Sequence, residues 1–125
     1  MKVICFDFDG VIAQYDKWEG FDVIGKPIQD VITAMQVLKD RGYYLTIFTT
    51  RSDTPTLRKW LEDNKVPYDS LNSNSHNPPM TSHKPIYHCI VDDRALNFNI
   101  RSNFLHWNTL VEQIEILTTE TEELK

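Results

Sequence analysis

The stretch Val3-Ile4-Cys5-Phe6-Asp7-Phe8-Asp9-Gly10-Val11 constrains this chain more than any other. A short apolar run ends in two carboxylates separated by one aromatic ring, with glycine immediately after. Successive side chains of a strand alternate faces, so Asp7 and Asp9 share one face and Phe8 takes the other. Two like charges that close repel, and each loses hydration at the edge of an apolar core. Such a pair survives where a cation, a shared proton or water compensates it. An arbitrary Asp-x-Asp reads as a strand running into a solvated acidic turn. Gly10 and three later segments point instead to a site.

The rest of the chain alternates apolar runs with helical stripes. Region 12–25 is polar and aromatic, with Tyr15, Trp18 and Phe21 among charges, and reads as a loop or small hairpin beside the carboxylates. Pro27 suits a first helical turn. Ile28, Val31, Ile32, Met35 and Leu38 follow at helical spacing, and Gly42 closes that helix. Region 43–49 is a mostly apolar strand ending in Thr49-Thr50-Arg51. Thr54-Pro55 pairs a cap with a first-turn proline for a second helix, with Leu57, Trp60 and Leu61 facing inward. A short strand at 70–72, an irregular loop at 73–82 and an apolar strand at 86–91 come next, the last ending in Asp92-Asp93. A final helix over 109–117 uses Leu110, Val111, Ile114 and Leu117, and the acidic tail 119–125 is expected to fray. This predicts a single domain over 1–118 of α/β class. Its expected form is a three-layer α/β/α Rossmann-like fold with a parallel sheet covered on both faces.

Composition narrows the function classes. Hydrophobic residues make up 41% and charged residues 25%, as in ordinary globular chains. The apolar runs are too short to span a bilayer, and Asp7 and Asp9 interrupt any leader-like pattern. The expectation is a cytoplasmic protein with no membrane association. Cys5 and Cys89 both lie in apolar runs, where a thiol behaves as a small hydrophobe. The net charge of -5 argues against tight binding to a phosphate backbone. His76, His83, His88 and His106 lack metal-ligand spacing and read as surface or satisfied side chains.

In a parallel α/β sheet the ligand crevice lies beyond the carboxyl ends of the strands. Asp7 and Asp9 follow the first strand, Thr49 and Arg51 the second, and Asp92 and Asp93 the last. Lys84 lies in the loop entering the last strand and needs tertiary folding to reach the same rim. Carboxylates from two strand ends make a hard, oxygen-rich cluster that suits Mg²⁺. A hydroxyl and a lysine beside it can bind phosphoryl oxygens. One carboxylate can attack phosphorus, forming an aspartyl-phosphate. A second, two residues on, can protonate the leaving oxygen and later activate water.

Phe6-Asp7-Phe8-Asp9-Gly10-Val11 resembles the first motif of the haloacid dehalogenase (HAD) superfamily of phosphohydrolases. Phe48-Thr49-Thr50-Arg51 resembles the second, Lys84-Pro85 the third, and Ile90-Val91-Asp92-Asp93-Arg94 the acidic fourth. All four occur in order. The resemblance implies Asp7 as nucleophile and Asp9 as general acid/base. It implies Mg²⁺ held by Asp7, by the Asp9 carbonyl and by one of Asp92 and Asp93, with Asp93 favoured. Thr49 would bind the transferring phosphoryl group and Lys84 would offset its charge. Thr50, Arg51 and Gly10 are candidates for substrate binding, and Arg51 and Arg94 alternatively for buttressing acids. Regions 11–27 and 51–84 leave no room for a large cap, so the resemblance is to small capless members. It implies a phosphorylated substrate: a nucleotide, a sugar phosphate or a polynucleotide 3′-phosphate end. The phosphatase portion of polynucleotide kinases and the deoxyribonucleotidases carry a similar acidic pair. A capless site is open unless a homo-oligomer covers it. Two other readings stand beside this one: a non-catalytic phosphate-binding module, and a signalling receiver. A receiver needs its acceptor acid at the end of a middle strand, where this chain has Thr49-Thr50-Arg51.

Overall fold

The first apolar run becomes the centre of a sheet. The computed structural model describes residues 1–73, 77–82, 84–93 and 106–119. Its elements, in order, are β1 (Val3–Phe6), α1 (Gln29–Asp40), β2 (Tyr44–Ile47), α2 (Pro55–Asp63), β3 (Ser70–Leu71), β4 (Cys89–Val91) and α3 (Trp107–Thr119). The four strands are parallel, in the order β3-β2-β1-β4. Ile4 sits level with Leu45 and Cys89, and Phe6 level with Ile47 and Val91.

This row of side chains forms one core with residues from all three helices, including Leu38 of α1, Leu57 and Leu61 of α2, and Leu110 and Ile114 of α3. Each large side chain buried this fully contributes about 1.5–3 kcal/mol. The alternate row, Val3, Cys5, Thr46 and Ser70, is buried as well, and the Ser70 hydroxyl donates to Thr46 Oγ1 at 2.8 Å. Ile90, level with Cys5 in this row, is exposed, so the second face is covered only in part; the architecture is the α/β, Rossmann-like one that the alternation of elements predicts. Among the described residues no helix is long and apolar enough to cross a membrane.

Several boundaries differ from expectation, each for a local reason. Pro27 lies outside the helix, in an antiparallel bridge with Ala13. On either side of it, Gln14 N–H donates to Lys26 O and Ile28 N–H to Ile12 O, both at 2.8 Å. A proline fits there because its position needs no donor. Segment 12–28 is therefore an excursion whose ends are stitched together. The α2 signal holds as read: Thr54 Oγ1 accepts Leu57 N–H at 3.2 Å, with Pro55 following. The last strand begins at Cys89, later than 86, because Asn77 Oδ1 takes the Ile86 N–H at 2.7 Å. Pairing with β1 starts at His88, whose N–H donates to Val3 O while its Nδ1 accepts Val3 N–H.

Helix α3 runs through Thr119, and its inward stripe is Leu110, Val111, Ile114 and Thr118. Leu117 is exposed, contrary to expectation. Thr118 takes the inner position by satisfying its hydroxyl on Ile114 O at 2.8 Å. Arg94, the 95–98 segment, His76, His83 and tail residues 120–125 lie outside the described residues.

Gly25 marks a close crossing within the excursion. A Cβ built there would lie 2.0 Å from Gln14 O, a backbone atom, and Gly25 O already accepts the Trp60 indole N–H at 3.2 Å. Gly25→Ala is expected to destabilise the fold by about 2–3 kcal/mol, read as a lower urea midpoint.

Candidate active site

β1 bonds to both neighbours, so its C-terminal end is the middle of the rim. Asp7 N–H continues the ladder to Val91 O at 3.0 Å, after which the chain turns sharply. Phe8 O accepts N–H groups from Val11, Ile12 and Ala13 at 3.2, 2.9 and 3.1 Å. Gly10 closes the turn at φ +84, a conformation open to glycine at little energetic cost. Its N–H donates to Ala13 O at 2.7 Å, so the contribution of Gly10 is the turn itself. Phe8 is fully buried and meets Trp60 edge-on, ring centres 5.1 Å apart. That anchor leaves the flanking carboxylates on the rim side.

Asp7, Asp92 and Asp93 converge, each offering a carboxylate oxygen within 4.8 Å of the others. Asp7 is pushed up to about 6, chiefly by burial. Its hydrogen bond from Phe8 N–H, at 2.8 Å, opposes the rise, and the charges of Asp92, Asp93 and Asp9 add to it. Cys5 is pushed up to about 12 by burial first, with Asp7 and Asp92 adding and Lys84 opposing. A thiol so far from ionising has no nucleophilic use at neutral pH.

The side chain of Asp9 lies outside this triad. Arg51, only 4% exposed, grips it in a fork: Nε donates to Oδ2 at 2.8 Å and Nη2 to Oδ1 at 3.0 Å. The guanidinium also donates to Val23 O at 3.0 Å and Phe21 O at 3.4 Å, both in the excursion. Arg51 therefore buttresses an acid from inside the protein. Thr49 sits at the rim with its Oγ1 accepting Arg51 N–H at 3.2 Å, and Thr50 is exposed beside it. Lys84 is exposed, its backbone fastened to Ser82 Oγ and Asn77 Nδ2.

Asn72 is a residue that the sequence reading passed over. Its Oδ1 accepts Thr49 N–H and its Nδ2 donates to Arg51 O, both at 2.8 Å. One amide thus shapes the Thr49-Thr50-Arg51 corner from the end of β3. Asn72 has φ +53, which asparagine tolerates better than most residues. An asparagine directly after a short strand was the available signal. Trp18 and Phe21, both half exposed, pack edge to face at 5.2 Å. Beside them a cavity of about 270 Å³ is lined by Tyr15, Lys17, Lys26 and Arg51, among others.

No protein-family model and no curated protein sequence matches the chain. Two solved structures are similar over nearly the whole of it. One is a conserved protein coded by a locus of Bacteroides thetaiotaomicron, with TM-score 0.70 and 18% identity over 97% of this chain and 98% of that one. The other is a protein from Vibrio cholerae, with TM-score 0.55 and 22% identity over 96% of this chain and 98% of that one. At these identities the likenesses establish the fold alone.

Proposed function

We propose that the chain is a Mg²⁺-dependent phosphomonoester hydrolase of the HAD type, acting through an aspartyl-phosphate on Asp7. The observation that carries this reading is the convergence of Asp7, Asp92 and Asp93 from the ends of two adjacent strands. The donor set fits Mg²⁺: three hard carboxylates on a rim, with burial and mutual repulsion already pushing Asp7 upward. Asp7, Asp92 and Asp93 would hold the ion with the Asp9 carbonyl. Its chemistry there would be to neutralise charge as an anionic nucleophile meets an anionic phosphoryl group.

The remaining steps belong to the chain. Asp7 attacks phosphorus as the bond to the leaving oxygen breaks, and Asp9 gives that oxygen its proton. Asp9 then takes a proton from water, which attacks the aspartyl-phosphate, releases phosphate and restores the Asp7 carboxylate. Thr49 Oγ1 already accepts one hydrogen bond, so its own hydrogen is available to a phosphoryl oxygen. Lys84 offsets phosphoryl charge from the open edge. The substrate is a nucleotide, a sugar phosphate or a polynucleotide 3′-phosphate, met in the cytoplasm. Between α2 and β4 the described residues hold only β3 and loop, in keeping with a capless site.

The test is turnover of an aryl phosphate with Mg²⁺ and with chelator. Turnover is expected only with the metal. Mg²⁺ at about a hundred times its Kd is expected to stabilise the wild type by about 2.7 kcal/mol, seen as a higher Tm. Asp93→Asn should show neither effect. Full activity in chelator overturns the metal reading. Stoichiometric phosphorylation without turnover would mark a phospho-acceptor module.

A further inference from the structure

We propose that Arg51 is a positioning residue that sets the Asp9 carboxylate and the 12–28 excursion in one arrangement, aiming Asp9 at the leaving group. The proposal rests on the hydrolase reading for what Asp9 does, and on geometry for the coupling. A guanidinium buried this deeply is strongly destabilising unless its donors are met. Here four of its donor hydrogens are met, from two sides: by both oxygens of Asp9, and by the Phe21 and Val23 carbonyls. Its flat faces are occupied too, with the Trp18 ring centre 4.9 Å away and that of Phe8 5.8 Å away. The backbone of Arg51 cannot drift, because Asn72 holds its carbonyl and Thr49 its N–H.

A fork to a carboxylate fixes the plane of that carboxylate, which a lysine point charge does not do. A carboxylate offers about four lone-pair sites. Arg51 takes two of them, so the other two are left in a set direction for carrying a proton. The same guanidinium holds the turn of the excursion bearing Phe21 and Val23. Asp9 and the excursion consequently share one anchor, and loosening either loosens both. This assigns the excursion a place beside the leaving group.

Leaving-group dependence tests the aiming. Phenyl phosphate needs a proton on its departing oxygen, and dinitrophenyl phosphate does not. Arg51→Lys and Arg51→Ala, each checked for wild-type helix content, are expected to lose about 10²-fold in kcat/KM on phenyl phosphate. On dinitrophenyl phosphate the loss should stay within about threefold, because no proton transfer limits it. Equal losses on both substrates would overturn the positioning role, since general damage to the fold does not discriminate between them. Trypsin tests the coupling without reference to activity, because Lys17 is exposed on the excursion and is followed by Trp18. Both variants should be cut there about tenfold faster than wild type, and unchanged cutting overturns the coupling. If Arg51→Ala fails to fold, Arg51→Lys carries both measurements. A wild type without turnover removes the hydrolase reading, and the cleavage rates then decide the coupling alone.

Discussion

Asp7→Asn is expected to abolish turnover while making the metal-free protein more stable. The loss of activity should be about 10⁴-fold or more, because the amide cannot form the acyl phosphate. The gain in stability follows from the position of Asp7 among other acids. Its folded-state pKa is raised from 3.8 to about 6, so the folded chain binds this proton more tightly than the unfolded chain does. The favourable contribution is complete below the unfolded value and is lost as pH rises through about 6. At neutral pH the ionised wild type therefore carries the full penalty. Asp7 is only partly buried, and solvent screening reduces the effect to about 1 kcal/mol. Urea midpoints of the two proteins without Mg²⁺ should differ at about pH 7.5 and converge below about pH 4. Activity that survives the substitution would sink the aspartyl-phosphate mechanism.

Phe8→Ala is the second large effect, and it acts on the fold. Phe8 is fully buried between two candidate catalytic acids, with its ring edge-on to Trp60 and beneath the Arg51 guanidinium. Removing it leaves a cavity under the turn that presents Asp7 and Asp9. The expected loss is about 3–5 kcal/mol by equilibrium unfolding, about a fifth or more of the stability of an ordinary domain. Phe8→Leu, which keeps most of the volume, should lose clearly less. If the two variants unfold at the same urea concentration, the ring is not packed as described.

The parts legible in the sequence are those that a parallel sheet dictates. Apolar runs ending in Asp7, Thr49 and Asp92-Asp93 name the strand ends, and strand ends in such a sheet share one rim. Thr54-Pro55 was readable because capping is local. The errors arise where a side chain replaces a backbone partner across a long loop. Asn77 takes the Ile86 N–H and shortens β4. Asn72 takes the Thr49 N–H and ends the usefulness of strand periodicity there. The place of Pro27 is not set locally, because its bridge to Ala13 depends on the excursion folding back. The Asp9–Arg51 pair joins residues 42 positions apart, a distance at which charge sign alone does not choose a partner. Leu117 and Thr118 exchanged roles because a threonine that bonds its own helix can sit inside as an apolar residue would.

The central position of β1 also bears on the order in which the protein is made. Its left-hand partner, β2, is translated soon after it, and α1 bridges the two. The right-hand partner is distant in the chain: Ile4 waits for Cys89 and Phe6 for Val91. Contacts of such separation form late, after their loop-closure entropy has been overcome. During synthesis Asp7 therefore spends most of its time without Asp92 and Asp93 beside it. The acidic cluster comes together only when nearly the whole described chain is available, so the growing chain does not bear the mutual repulsion of Asp7, Asp92 and Asp93 until then.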